Sequence, residues 1–391
     1  MNKLDYWFYH WEGGEHMVTD NRVKIKRDIY LWAIEESQKD FGEIKNRFKK
    51  IETWISGENN PTFRQLESLA NFLGVPLGYM FLEEPPRTNL IESEFRTIGN
   101  KIPETSKDLQ DTLYIMARKK DWLSEHRRAK GWGKLLSDDF SNLSKENVHL
   151  AKRYINLDEF WYKELRDKDY AFKYLRQKLE DKGIIVMQSG VVGSDNHRRL
   201  SVREFRGFLL YDDIAPLIFI NSRDSKAGKI FTLVHEYIHF LLQEDDIFID
   251  EDSDETNINK ITAEFLMPTS HIQEQWDSGR PELEQIEELS KLFHVSELAL
   301  AIKLKGLGKI SQHVVSMVKQ QTERALKNRG MGKSGGDYYH TNRSRLGDSF
   351  LAAVIQGAES GDISYTYAFD LLGGSAKLYD YFKGEFIGYE R

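Results

Sequence analysis

The 391-residue chain contains no cysteine, which removes disulfide frameworks, thiolate nucleophiles and thiolate-held zinc and leaves histidine and carboxylate as metal ligands. A reducing, cytoplasmic setting is expected from that absence. Proline is scarce, at 8 residues, and with 40% hydrophobic and 30% charged residues the composition excludes collagen-like and disordered classes. No run of about 18 apolar residues occurs, and the start MNKLDYWFYHWEGGEH has no apolar h-region, so neither membrane insertion nor export is expected. Positive charge is not in excess either. Lys and Arg number 55 against 62 Asp and Glu, a net charge of −7, so no global field draws the molecule to nucleic acid and any DNA contact must be local. The length suggests two or three domains of about 150 residues each.

What is present falls into blocks. Residues 1–20 read as an aromatic-rich tail broken by Gly13-Gly14. Residues 21–86 show short helical periods, with a glycine stop at Gly57, then Pro61 and Thr62 before FRQLESLANFLG, as in a bundle of short helices. Pro85-Pro86 ends that bundle. Residues 87–165 read as a helical linker. Residues 104–181 are mostly charged and helix-compatible, and two long helices are predicted there, over DLQDTLYIMARKKDWLSEHRRAKGW and FWYKELRDKDYAFKYLRQKLEDKG. Strand signals then cluster at Gly183 to Met187, Phe205 to Tyr211 and Ala215 to Asn221, followed by a helix from about Lys226 to Leu242. Helical periods resume over 254–267 and 281–308. A Gly-rich break at Asn328 to Gly336 reads as a linker within a helical C-terminal region, 311–391, whose last fifty residues return to helical periods. The class expected is α+β.

The sharpest signal is FTLVHEYIHFLL, in which His235, Glu236 and His239 have His-Glu-x-x-His spacing. Positions i and i+4 of a helix lie one above the other, so both imidazoles can reach one ion. The spacing suits Zn2+. Glu236 lies about 100° round, placed to act as general base without taking a coordination position. Phe231, Val234, Ile238 and Leu241 form an apolar stripe, so one flank is expected to be buried with the histidines at its edge. A third ligand must be a histidine or carboxylate downstream. Glu255 opens the next helical pattern, Glu264 is its main rival on spacing, and Asp252 and Asp254 stand behind them.

These residues resemble the ImmA/IrrE family of metallopeptidases: FTLVHEYIHFLL is similar to the family's zinc helix, and ETNINKITAEFLMP to its Glu-x-x-Ala-Asn helix, with Ile258 where alanine is usual. The resemblance implies a zincin-like domain over 166–310, zinc ligands His235, His239 and Glu255, and Glu236 as the catalytic carboxylate. It also implies a strand beside the zinc helix that pairs with extended substrate, for which Ala215 to Asn221 is the candidate. Residues 41–74 resemble the helix-turn-helix of the lambda-repressor-like (XRE) regulators. That resemblance implies a recognition helix near Phe48 to Ser56, with Lys49, Lys50, Glu52 and Thr53 facing a groove. Residues 21–86 hold 10 Lys or Arg and 10 Asp or Glu, so the bundle is neutral, and docking to a partner repressor or to a second copy of the chain stands beside DNA contact. Trp32 and Trp54 are assigned to the core.

By resemblance, the expected activity is zinc-dependent cleavage of a protein substrate, a helix-turn-helix repressor, in a stress, mobile-element or phage-defence response. The rival is a DNA-binding regulator or toxin-antitoxin component whose zinc site is structural or sensory.

Overall fold

Asp40, Gly57 and Thr62 set the helix boundaries of the amino-terminal part of the chain. The computed structural model describes residues 22–37, 39–73, 75, 77–85, 106–243, 253–328 and 337–387. The tail 1–20, the acidic run 244–252 and the glycine-rich residues 329–336 lie outside them. The chain divides into two units, Met1–Leu90 and Ile91–Arg391.

In the first unit, α1 (Arg27–Glu36), α2 (Phe41–Arg47), α3 (Ile51–Ser56) and α4 (Phe63–Leu73) precede a short 3-10 turn, Leu77–Phe81. The Asp40 carboxylate accepts from Glu43 N and starts α2. Gly57, at φ 80°, ends α3 in the left-handed conformation that glycine enters most easily. Thr62 and Gln65 form a reciprocal capping box, Gln65 Oε1 accepting from Thr62 N at 2.9 Å and Thr62 Oγ1 from Gln65 N at 3.3 Å. Ile29, Tyr30, Ile44, Ile51, Trp54, Leu66 and Leu69 fill the core.

The second unit contains α5 (Lys107–Ala129), α6 (His149–Tyr154) and α7 (Lys168–Glu180), then strands β1 (Ile185–Ser189), β2 (Val191–Val192), β3 (Asp195–Arg199), β4 (Gly207–Leu210) and β5 (Leu217–Asn221). Helices α8 (Lys226–Leu242), α9 (Ser253–Leu266), α10 (Thr269–Gln275), α11 (Glu282–Leu292), α12 (Glu297–Gly306) and α13 (Gln312–Asn328) follow. The described chain closes with α14 (Tyr338–Leu346), α15 (Asp348–Glu359), α16 (Tyr365–Leu372) and α17 (Ala376–Ile387). The three-stranded sheet has the order β1-β5-β4, with β1 and β5 parallel and β4 and β5 antiparallel. The protein is therefore α+β, and no described helix is long and apolar enough to cross a membrane.

Strand alternation sends side chains to two cores. Val186, Leu209, Ile218 and Ile220 join Leu175, Leu233, Ile238 and Phe265 on one face, while Ile185, Met187, Phe208, Leu210, Leu217 and Phe219 join Leu113, Leu123, Phe350, Leu351 and Phe382 on the other. Helix α5, within the stretch read as a linker, and the C-terminal helices are thus parts of the sheet's second core.

Three expectations need correction. Leu217–Asn221 is the central strand, with β1 and β4 on its two sides, so it offers no free edge to a peptide. The predicted long helix from Phe160 begins only at Lys168, because Asp167 caps there, accepting from Asp169 N and Tyr170 N. The buried side chains of Trp161 and Tyr162 belong to a turn before it. The β2–β3 hairpin was not expected, since its DNHRR strand is polar and largely exposed.

Candidate metal centre

Helix α8 starts at Ser225, whose hydroxyl accepts from Gly228 N at 2.9 Å, and stops at Gln243 in a left-handed conformation, φ 58°. It packs on β4, β5, α7 and α9. Apart from half-buried Phe231, every residue from Ile230 to Leu241 is buried. The expected edge placement is therefore corrected: His235, Glu236 and His239 are only 6%, 7% and 5% exposed. Sheet and helices enclose this helix, and its apolar residues extend well beyond the predicted stripe. The Tyr237 hydroxyl donates to Ala151 O at 2.7 Å and anchors the helix midway; burial pushes that phenol's pKa up.

The Nε2 atoms of His235 and His239 stand 3.1 Å apart, with ring centroids at 4.8 Å and planes inclined by 66°. Two nitrogens bound at about 2.0–2.1 Å to one tetrahedral ion would be separated by roughly 3.3 Å. The donor pair therefore fits a single zinc ion. Among the described residues no cluster of three His, Asp or Glu able to hold a metal occurs. Glu255 falls in the first turn of α9, and its side chain, like that of Asp254 and all of Asp252, lies outside the described residues.

The rival carboxylate, Glu264, is committed elsewhere. It accepts from Thr269 N at 2.8 Å and Thr269 Oγ1 at 2.6 Å, and pairs with Lys303 Nζ at 2.6 Å. Burial opposes its ionisation, yet donation from Lys303 and Thr269 holds the carboxyl below its ordinary value. Ile258, the departure from the family's alanine, is buried in the core beneath α9.

In the first unit, Lys49 and Lys50 precede the helix predicted to carry them, because α3 begins at Ile51. Phe48 leaves helical geometry (φ −118°, ψ 76°) and sets its ring 6.3 Å from Trp54 and 5.5 Å from Phe72. Lys49 and Lys50 are exposed in the turn. Glu52 is exposed and pairs with Lys45 at 2.8 Å, and Thr53 Oγ1 donates to Lys50 O at 2.8 Å. Arg47, Lys49, Lys50 and Arg64 line a surface groove of about 480 Å³. Trp54 is buried and Trp32 half-buried, both in the core.

A histidine pair on a buried helix beside a small mixed sheet gives two of the ligands that a metal centre needs. Residues 179–305, about a third of the chain, match the model of the M78 peptidase family, described as an IrrE N-terminal-like domain. The match supports the ImmA/IrrE family and a metalloprotease-type hydrolase for this stretch. No curated protein and no solved structure gives a significant match to the chain.

One group of residues escaped the sequence reading. Arg199, Arg223, Lys229 and Arg345 come from β3, the turn after β5, α8 and α14 and line one groove. Their separation in sequence leaves no spacing pattern by which to find them.

Proposed function

We propose that the second unit is a zinc-dependent endopeptidase. The observation that carries the reading is the 3.1 Å approach of two buried Nε2 atoms inside the span that matches the peptidase family. His235 and His239 would hold the ion, with Glu255 as third ligand. The capture of Glu264 by Lys303 and Thr269 supports that choice among the carboxylates. When bound, zinc supplies Lewis acidity toward a peptide carbonyl and an attacking water. Glu236 takes the proton from the water and returns it to the leaving amine. The outer antiparallel strand β4, packed beside α8, replaces Leu217–Asn221 as the place where an extended peptide would add.

The substrate favoured by family resemblance is a helix-turn-helix repressor, with the chain's own amino-terminal bundle docking that partner or a second copy, in a cytoplasmic stress, mobile-element or phage-defence response. A second reading, a DNA-binding regulator with a structural or sensory zinc site, is favoured by the groove of Arg47, Lys49, Lys50 and Arg64.

Glu236→Gln is the deciding variant. It is expected to keep one zinc per chain and the wild-type melting temperature while lowering repressor cleavage by about a thousandfold or more. Metal analysis and a gel cleavage assay read this. Equal cleavage by both forms rejects Glu236 as the base. Zinc bound without cleavage by the wild type, together with operator binding lost on charge reversal of Lys49 and Lys50, selects the regulator.

A further inference from the structure

Strands β1 and β5 run parallel, and their carboxyl ends open on one side of the second unit. Crevices at that end of an open sheet are where α/β folds commonly bind ligands. Here two spaces meet. An inner cavity of about 350 Å³ has Met116, Met187, Phe219 and Leu346 among its walls. An outer groove of about 1310 Å³ is lined by Arg199, Arg223, Lys229 and Arg345, with Asp337 as the only carboxylate among the described residues that line it. Gln188 and Arg345 line both spaces.

Two independent observations point to a ligand. The first is charge. Among the described residues, none of the four groove cations forms an ion pair with a carboxylate, whereas about half of the other basic side chains of this unit do, as in Arg176 with Glu180, Arg198 with Asp108 and Asp111, and Arg343 with Asp348. Burial lowers the pKa of both Arg345 and Lys229, so each cation is held partly out of water, and the Asp169 and Asp224 carboxylates that favour the Lys229 charge only partly offset that burial. In a chain of net charge −7, such a concentration of unpaired positive charge needs a reason. The second is an orphaned acceptor. Gln188 is 9% exposed; its Nε2 donates to Ser344 Oγ at 2.7 Å, and its Oε1 has no protein donor. Buried acceptors are rarely left so.

We infer that this crevice binds a nucleoside phosphate, its phosphates among Arg199, Arg223, Lys229 and Arg345, its ring against the Met116, Met187, Phe219 and Leu346 wall of the inner cavity, which Arg118, Lys119, Asp195, Arg198 and Asp370 also line, and an N–H or hydroxyl donated to Gln188 Oε1 at the junction. The cavity volume is in the range of small-ligand sites. A nucleic-acid strand fits less well, because among the described residues no Phe, Tyr or Trp lines the groove to stack successive bases. Lys229 and His235 lie six residues apart on α8, about 9 Å along its axis, so an occupied groove touches the helix that carries the histidine pair. The inference does not depend on peptidase activity.

The test is calorimetry on the full-length, metal-free chain with ATP, GTP, tripolyphosphate and a twelve-residue oligothymidylate. One of the two nucleotides is expected to bind about tenfold or more tightly than tripolyphosphate, and Arg199→Ala and Arg345→Ala each to weaken it about tenfold. Gln188→Leu is expected to weaken nucleotide binding while leaving tripolyphosphate binding unchanged. Arg199 and Arg223 are exposed, so Arg223→Ala provides a second variant without risk to folding. Absence of nucleotide binding at about millimolar concentration, indifference to both exposed arginine variants, tripolyphosphate binding as tightly as the nucleotides, or tighter binding of the oligonucleotide would each overturn the assignment.

Discussion

Lys119 lies on the inner face of α5, 6% exposed, with its ammonium donating to Leu371 O and 5.3 Å from the Phe350 ring. Burial is the main cause that lowers its pKa from 10.5 to about 7. The folded form therefore gives up this proton at lower pH than the unfolded form, so stability rises as pH climbs from about 7 toward 10.5. Lys119→Met keeps the side chain's length and removes the titration. Its stability is expected to exceed that of the wild type below pH 7 and to lose the advantage by about pH 10. Urea denaturation at several pH values measures the difference, and a constant offset across that range refutes the assignment. A lysine in the run Arg118-Lys119-Lys120 gives no sequence cue of such burial, because the cue is the helix packed over it. His235 and His239 were legible because one helix sets their separation. Glu264 remained a rival to Glu255 in the sequence because Lys303, 39 positions away, is what occupies it.

Helix α8 is held against the sheet by a close approach at Gly207. A Cβ there would lie 2.5 Å from Thr232 Cγ2 and 2.7 Å from Phe219 O, and the second of these is backbone that cannot swing aside. Thr232 is one turn before His235. Gly207→Ala is therefore expected to push α8 off β4, lowering stability by about 1–3 kcal/mol and weakening zinc binding together with it. Gly133→Ala, where a Cβ meets nothing within 4 Å, is the control that should change neither. Thermal melts and zinc titration report both effects, and unchanged zinc affinity in a destabilised Gly207→Ala protein would separate the sheet contact from the histidine geometry. At this scale the sequence reads well where one element decides its own limits, as Ser225 and Leu242 do for α8. It reads poorly where pairing decides: the apolar run in Leu217–Asn221 shows a strand, but only hydrogen bonding to both neighbours makes it central.

The whole molecule is where local patterns said least. Blocks read one after another as linker, peptidase region and C-terminal region converge on a single sheet, since Leu113 and Leu123 of α5 and Phe350, Leu351 and Phe382 near the end of the chain cover the same strand face. Charge balance and helical period describe each segment by itself and carry no information about which distant surface it covers. The consequence is testable by truncation. Ending the chain at Asn328 would uncover Ile185, Met187, Phe208, Leu210, Leu217 and Phe219. At about 1.5–3 kcal/mol for each large apolar side chain, the loss is on the order of 10 kcal/mol, comparable with the whole stability of a typical domain, about 5–15 kcal/mol. This truncated chain should aggregate or bind ANS, and it should lose its histidine site although every candidate ligand is retained. Removing residues 1–86 instead deletes a core that shares no residue with the other two. That chain is expected to keep a cooperative melt within a few degrees of the full-length protein. A cooperative melt from the chain ending at Asn328, with zinc still bound, would show that the peptidase-like part folds without its C-terminal cover.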